Sequence, residues 1–345
     1  MSSIILSIDA MGGDAGPDVV AEGLELFTRQ RSDVDFLLHG QRDLIEPLLA
    51  KHKLTDRCEI VDQPDVVSMS AKPSSALRKA RGTSMWGMIE SVKQGDAAAG
   101  VSAGNTGALM AMAMLALRKM PGVHRPAMTA LWPTLKGRSV VLDVGANLDA
   151  DADQLVEFAV MGEAYARAVF GIERPTVGLL NIGAEDEKGP DAIKFAGEIM
   201  RTRNTGVDFH GYIEGNDISM GVVDVVVTDG FTGNVALKTA EGTARLVQRY
   251  VREALTSNLL SKAGAALASS GIRDLRTKLN PSSVNGGVLL GLNGVVVKSH
   301  GGTDAEGFAT ALKLSADLAN SHYMEEVSSG LKRVSQLGIT PETVE

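Results

Sequence analysis

The 345-residue chain has a single cysteine, Cys58, so an internal disulfide is excluded and a reducing cytoplasm is the expected setting. Aromatic residues are scarce at 4 %, which leaves packing to Gly, Ala, Val and Leu, as in parallel sheets with many tight βα turns. No GxGxxG occurs, so the dinucleotide fingerprint is missing. The nearest P-loop look-alikes, Gly95–Ser102 and Gly178–Glu185, lack the lysine after the second glycine. The six histidines, His39, His52, His124, His210, His300 and His322, show no metal-ligand spacing, and neither metal nor cofactor is expected. A net charge of -8 argues against a general nucleic-acid binder. The opening residues lack a basic n-region and read as a strand. Val101–Leu117 is free of charge but carries Ser102, Asn105 and Thr106 and is short for a membrane span, so a buried core helix is expected.

What is present is an alternation of short apolar runs and helical segments. Strands are expected at Ser3–Asp9, Val34–His39, Glu59–Val61, Ala97–Val101, Ala127–Trp132, Ser139–Asp143, Thr176–Asn181, Val207–Ile213 and Asp224–Thr228. Helices are expected over Val19–Gln30, Gln41–His52, about 108–117, Asp153–Phe170, Asp191–Arg203 and from Asn234 through Arg252. Gly287–Leu290 and Val295–Lys298 read as a hairpin around Asn293-Gly294, and Ser299–Asp304 opens the last long helix. This order implies an α/β fold, a mainly parallel sheet with helices on both faces. With 44 % hydrophobic residues, one large catalytic domain over 1–338 is expected, followed by a loose tail at 339–345.

In such sheets ligands sit outside the carboxyl ends of the strands. Six strand-end loops there carry Gly with Asn, Asp or Thr: Asp9/Gly12/Gly13, Gly104/Asn105/Thr106, Gly145/Asn147, Asn181/Gly183/Lys188, Asp229/Gly233/Asn234 and His300/Gly301/Asp304. They are expected to converge on one cleft, joined by the turn at Asn216. A Gly-rich turn feeding a helix leaves N–H groups aimed at one spot, an anion site. Direct attack by a bound anion needs a cation, backbone amides and an oxyanion hole. Lys188, with Ser102, Gly104, Asn105 and Thr106, is the expected phosphate cradle. Asn147 or Asn234 would polarise a carbonyl, His300 would orient it or protonate a leaving group, and Lys238 lies four residues beyond Asn234. Gly100-Val101-Ser102-Ala103-Gly104 also matches GxSxG, but the extra Gly104–Gly107 delays the helix beyond a nucleophile elbow.

The chain resembles the PlsX-type phosphate acyltransferases of bacterial phospholipid synthesis. The resemblance runs from about Ile8 to Leu318 and rests on IDAMGGD (8–14), KPSSALR (72–78), VSAGNTGALMA (101–111), LDVGAN (142–147), LNIGAEDEKG (180–189), EGNDI (214–218) and TDGFTGNVALKTAEG (228–242). It implies a three-layer α/β/α fold like that of the phosphotransacetylase and isocitrate dehydrogenase-like group, usually homodimeric. It also implies attack of inorganic phosphate on the thioester of an acyl-acyl carrier protein, without a covalent enzyme intermediate, and peripheral membrane association. A phosphotransacetylase acting on a small acyl-CoA would share the cradle, and a silent membrane scaffold is the reading from another class.

Between Thr243 and Asn285 seven basic residues face two acids. A protruding amphipathic helical segment is expected at about 254–282, with Leu259, Leu260, Leu267 and Ile272 among Arg273, Arg276 and Lys278. It reads either as helices packed on the body or a dimer partner, or as a cation-rimmed hairpin on anionic lipid. A second basic patch, Arg78, Lys79 and Arg81, is a solvated helix face or a dock for the acidic carrier protein.

Overall fold

The computed structural model describes residues 3–272 and 285–337; Arg273, Arg276, Lys278 and the tail expected at 339–345 lie outside them. The strands are β1 (Ile4–Asp9), β2 (Val34–Gly40), β3 (Cys58–Asp62), β4 (Ala99–Ser102), β5 (Ala127–Thr134), β6 (Gly137–Leu142), β7 (Thr176–Leu180), β8 (Asp208–Ile213), β9 (Val225–Val227), β10 (Gly287–Leu290) and β11 (Val295–Lys298). They form one sheet in the order β3-β2-β1-β4-β11-β10-β5-β6-β9-β7-β8. The strands from β3 through β11 pair in parallel, as do β6, β9, β7 and β8. Between these halves, β10 is antiparallel to both β11 and β5, and β5 is antiparallel to β6. Each half is parallel within itself, and the two halves run in opposite directions.

The alternation along the strands divides the core into two layers. Val140 and Leu142, Val225 and Val227, and Val295 and Val297 belong to the apolar cluster on one face. Val141, Val226 and Val296 belong to the cluster on the other, as a period of two requires. Helices Pro17–Thr28, Arg42–Lys51, Ala152–Phe170, Asp191–Thr202, Ala305–Ala319 and Tyr323–Gln336 cover the first face. Helices Pro73–Arg78, Ser84–Gln94, Thr106–Leu117 and Gly215–Met220 cover the second. Together they make the three-layer α/β/α arrangement expected from the alternation. Each fully buried Val or Leu contributes about 1.5–3 kcal/mol of transfer free energy.

Local chemistry explains most helix ends. Asp151 and Gln154 form a reciprocal capping box before Ala152–Phe170, and Gly171 closes that helix in the left-handed conformation. Pro17 occupies the first turn, so the first helix starts two residues before the expected Val19. Thr106–Leu117 is only partly the buried core helix expected. Ala108, Leu109, Met112, Ala113 and Ala116 are buried, while Leu115 is 60 % exposed. With no polar residue after Thr106, the sequence carries no periodic mark of its outer face. The expected last long helix is two helices, broken at Asn320–His322.

The helix expected to end at Arg252 runs unbroken over Gly230–Thr256. It buries only Gly230 and Gly233. Leu259–Leu267, inside the segment of about 254–282 expected to protrude, is a further helix with no buried residue.

His39, on β2, is 2 % exposed, and its Nε2 lies 3.1 Å from Ser91 Oγ. Burial pulls its pKa from the usual 6.5 down to about 4. The folded state therefore holds it neutral where the unfolded chain is protonated, so its share of stability is complete above pH 6.5 and is lost as pH falls toward 4. That share is about 3–4 kcal/mol, since each tenfold change in proton affinity is worth about 1.4 kcal/mol. Denaturant melts at pH 7 and pH 4.5 should show a smaller acid loss in His39→Gln than in the wild type; equal losses would remove His39 as the cause.

Candidate functional site

Because the halves of the sheet run in opposite directions, their strand-end loops fall into two groups rather than converging as one set. The first group follows β1, β4 and β11. Ser102 Oγ donates to Asp9 Oδ2 at 2.6 Å and accepts the Gly104 N–H at 3.0 Å. The Asp14 N–H donates to the Gly301 carbonyl and the Ser299 N–H to the Ser102 carbonyl, both at 2.9 Å. Gly12 is required by close approach, since a Cβ there would stand 2.6 Å from both Asp9 Oδ2 and the Gly104 nitrogen. Gly13 takes a φ of +99° beside Ala103 and Gly301.

These contacts correct the expected role of Ser102. It is 0 % exposed with its hydroxyl doubly engaged, so it serves neither as a nucleophile nor as a side-chain phosphate ligand. Asp9, at 1 % exposure, is a buried anchor and not a cleft wall, and burial raises its pKa. Asn105 caps the next helix by accepting the Ala108 N–H, and its own amide donates to the carbonyls of Met69 and Ala71. The Gly104 N–H, expected in the cradle, goes to Ser102. Among the described residues, no acceptor takes the N–H groups of Asn105, Thr106 and Gly107, which leaves them open at the N-terminus of the helix. His300 is exposed in the loop after β11 of the same group. Its Nδ1 accepts the Gly302 N–H, which puts the ring proton on Nε2, and burial lowers its pKa.

The second group follows β6, β7 and β9. Asp143, 0 % exposed, accepts the N–H groups of Met128, Gly145, Ala146 and Asn147 and the Asn147 side-chain amide. Burial raises its pKa even against these donors. Asn147 also donates to the Pro126 carbonyl, so its amide is spent on the loop and is not aimed at a substrate carbonyl. Asp229 caps Gly230–Thr256 through the Thr232 N–H. A side chain at Gly233 would run into the Asp143 carbonyl, and Asn234, exposed, lies beside Gly145. Asn181 is buried and donates to the Lys188 carbonyl at 3.0 Å. The Lys188 ammonium is exposed and pairs with Glu185 at 2.9 Å, which raises its pKa.

The helix Gly230–Thr256 joins the groups. It starts in the second, and Lys238, two turns on, is close enough to the first to act on the charges of Lys298 and His300. Lys238 pairs with Glu241 at 3.0 Å. Asn216 is exposed and bonds Asp217, while Asp304 caps Ala305–Ala319; both are local turn chemistry. Arg78, Lys79 and Arg81 are exposed on and after Pro73–Arg78, whose Pro73 packs on Gly107. Leu259, Leu260 and Leu267 are 84–89 % exposed, and Ile272 is half-buried. Sequence reasoning missed Lys298, which is 8 % exposed and held to about 8 by burial. Its signal was a lone charge closing the apolar run Val295-Val296-Val297.

Solved structures share this arrangement. A phosphotransacetylase from Streptococcus pyogenes matches with a TM-score of 0.60 at 20 % identity, covering 92 % of this chain and 94 % of that one. The EutD phosphotransacetylase from Staphylococcus aureus matches with a TM-score of 0.59 at 15 % identity over 92 % and 94 %. At these identities the likeness establishes the α/β fold. The family model described as fatty acid synthesis protein matches residues 4–326, and the chain belongs to that family. It is 56 % identical to the phosphate acyltransferase of Maricaulis maris over 95 % of each chain. It is 53 % identical to that of Parvibaculum lavamentivorans over 97 % of this chain and 93 % of the relative.

The Asp143 loop gives a direct test of the second group. Asp143→Asn replaces acceptor oxygen by a donor amide against backbone N–H groups, and should cost about 3 kcal/mol. Urea melts of the two proteins measure it, and an unchanged midpoint would show that the carboxylate does not organise the loop.

Proposed function

We propose that this acyltransferase moves a long-chain fatty acyl group from acyl-acyl carrier protein to inorganic phosphate, giving acyl phosphate for phospholipid synthesis. The observation that carries the reading is the set of open N–H groups at Asn105–Gly107, in the loop group whose Lys298 and His300 lie within reach of the Lys238 charge. It occurs in a chain half or more identical to proteins named phosphate acyltransferase. Phosphate rests on those N–H groups, and the Lys238 ammonium, which acts on the charges of that loop group, offsets its charge. Lys188, in the second loop group, stands with Asn234 on the side of the acyl carbonyl. A phosphate oxygen attacks the thioester carbon, the C–O bond forms, and the C–S bond breaks with its electron pair leaving on sulfur. A thiol of pKa about 8.5 leaves without obligatory protonation. With Asn147 committed to its loop, Asn234 is the side chain that polarises the carbonyl. His300, neutral with its proton on Nε2, orients the carbonyl or the phosphate.

The same reading assigns the surfaces. No helix of the described residues is long and apolar enough to cross a membrane. Leu259, Leu260 and Leu267, with Lys262 among them, form an apolar tip suited to peripheral contact with anionic lipid, in a homodimer. Arg78, Lys79 and Arg81 receive the acidic carrier protein.

Purified protein incubated with long-chain acyl-acyl carrier protein and phosphate should yield a product trapped by hydroxylamine. A clear preference for short acyl-CoA as donor would favour the phosphotransacetylase reading, and no trapped product with either donor would favour a scaffold. Lys188→Ala should lower turnover by about two to three orders of magnitude with an unchanged circular dichroism spectrum. Near-normal turnover would remove Lys188 from the mechanism.

A further inference from the structure

The Lys298 ammonium is buried at the carboxyl end of β11 and no step above uses it. A lysine is almost never buried without partners, and this one donates to the Ala103 carbonyl at 3.3 Å and to the carbonyl of Ser299. The Ala103 carbonyl and the Gly104 N–H are the two ends of one peptide unit. Lys298 holds the first, and Ser102 Oγ, itself bonded to Asp9, holds the second. That unit lies immediately before the open N–H groups of Asn105, Thr106 and Gly107. Its orientation sets where they point, because a peptide is planar and turns as a whole.

We propose that Lys298 is a positioning residue for the anion: by clamping the Ala103–Gly104 peptide between β11 and the Ser102–Asp9 pair, it aims the N–H groups of Asn105–Gly107 at phosphate. This rests on the reading that phosphate occupies that helix end. The clamp spans the loops after β1, β4 and β11, so removing it frees a peptide that only Ser102 then restrains. The effect falls on phosphate and not on the acyl donor, whose carbonyl meets the second loop group.

Charge adds a signature that simple packing lacks. The groups acting on Lys298 are Asp9 on β1, Asp14 in the following loop and Lys238 on Gly230–Thr256, with His300 in the adjoining loop. Burial lowers the Lys298 pKa to about 8, partly offset by Asp9 and Asp14. The ammonium is therefore complete below pH 8 and is lost above it, and the clamp weakens in the same direction. His300 is shifted the other way from this window, below 6.5, and Lys188 is raised out of it.

The test compares wild type with Lys298→Met, which keeps the length and apolar stem. The phosphate KM should rise about tenfold or more while the KM for acyl-acyl carrier protein stays within about twofold. Wild-type phosphate affinity should fall between pH 7 and pH 9, and that of the variant should be weak and flat. Calorimetric titration with phosphate alone, without donor, reads the same difference, so a wild type that binds phosphate but forms no acyl phosphate condemns the functional reading and not the clamp. Equal phosphate affinities and equal pH courses in the two proteins overturn the clamp, and so does a wild type that binds no phosphate. If Lys298→Met does not fold, Ser102→Ala, which releases the other end of the peptide, must raise the phosphate KM in the same way; an unchanged KM overturns the proposal.

Discussion

The organising constraint of this fold is the reversal of strand direction in the middle of the sheet. β10 is antiparallel to β11 and β5, and β5 turns back into β6, so the two parallel halves present their carboxyl ends oppositely. A uniformly parallel sheet would deliver every strand-end loop to one edge. Here one helix has to start at one loop group and run past the other, and Gly230–Thr256 does so. Asp229 caps it in the second group, and Lys238 and Glu241 reach the charges of the first.

The two groups solve the same problem with different chemistry. Each uses one buried carboxylate as an acceptor for several loop donors. Asp143 gathers four backbone N–H groups directly, whereas Asp9 works through the Ser102 hydroxyl and the Met11 N–H. A carboxylate removed from water is costly unless surrounded by donors. Such a loop is consequently stiff, because its backbone donors all bond one fixed acceptor.

The fold was largely legible because strands such as Val225–Val227 and Val295–Val297 are apolar runs between turn residues, and the βα alternation follows from their spacing. The sheet reversal was not, because the β5–β6 turn at Leu135-Lys136 offers no Asn-Gly pair and only the single Gly137 after it, and antiparallel pairing leaves no mark on either strand alone. At the site, the residue types were readable but their directions were not. Ser102, Asn147 and Asn181 have side chains suited to ligands, yet the structure turns them onto Asp9, Asp143 and the Lys188 carbonyl. A short polar side chain in a tight loop bonds whichever partner tertiary packing brings near, and one sequence does not state that partner. Lys298 was missed for the converse reason: a lysine after an apolar strand reads as the point where the chain returns to water.

The long helix has a mechanical side. Its first three turns are held, by Gly230, Gly233 and the Asp229 cap and by Ala236, Leu237 and Ala240 packing on the second apolar cluster, and the remainder stands largely clear of the body. It extends about 40 Å at 1.5 Å per residue. A beam clamped at one end converts a small rotation at the clamp into a large excursion at the tip. On that geometry a tilt of about 5° about Ala240 carries the far end roughly 2 Å while Asn234, on the held side of the pivot, keeps its place. The exposed tip at Leu259–Leu260 is thus free to swing while the loop contacts at Gly230 and Gly233 stay fixed.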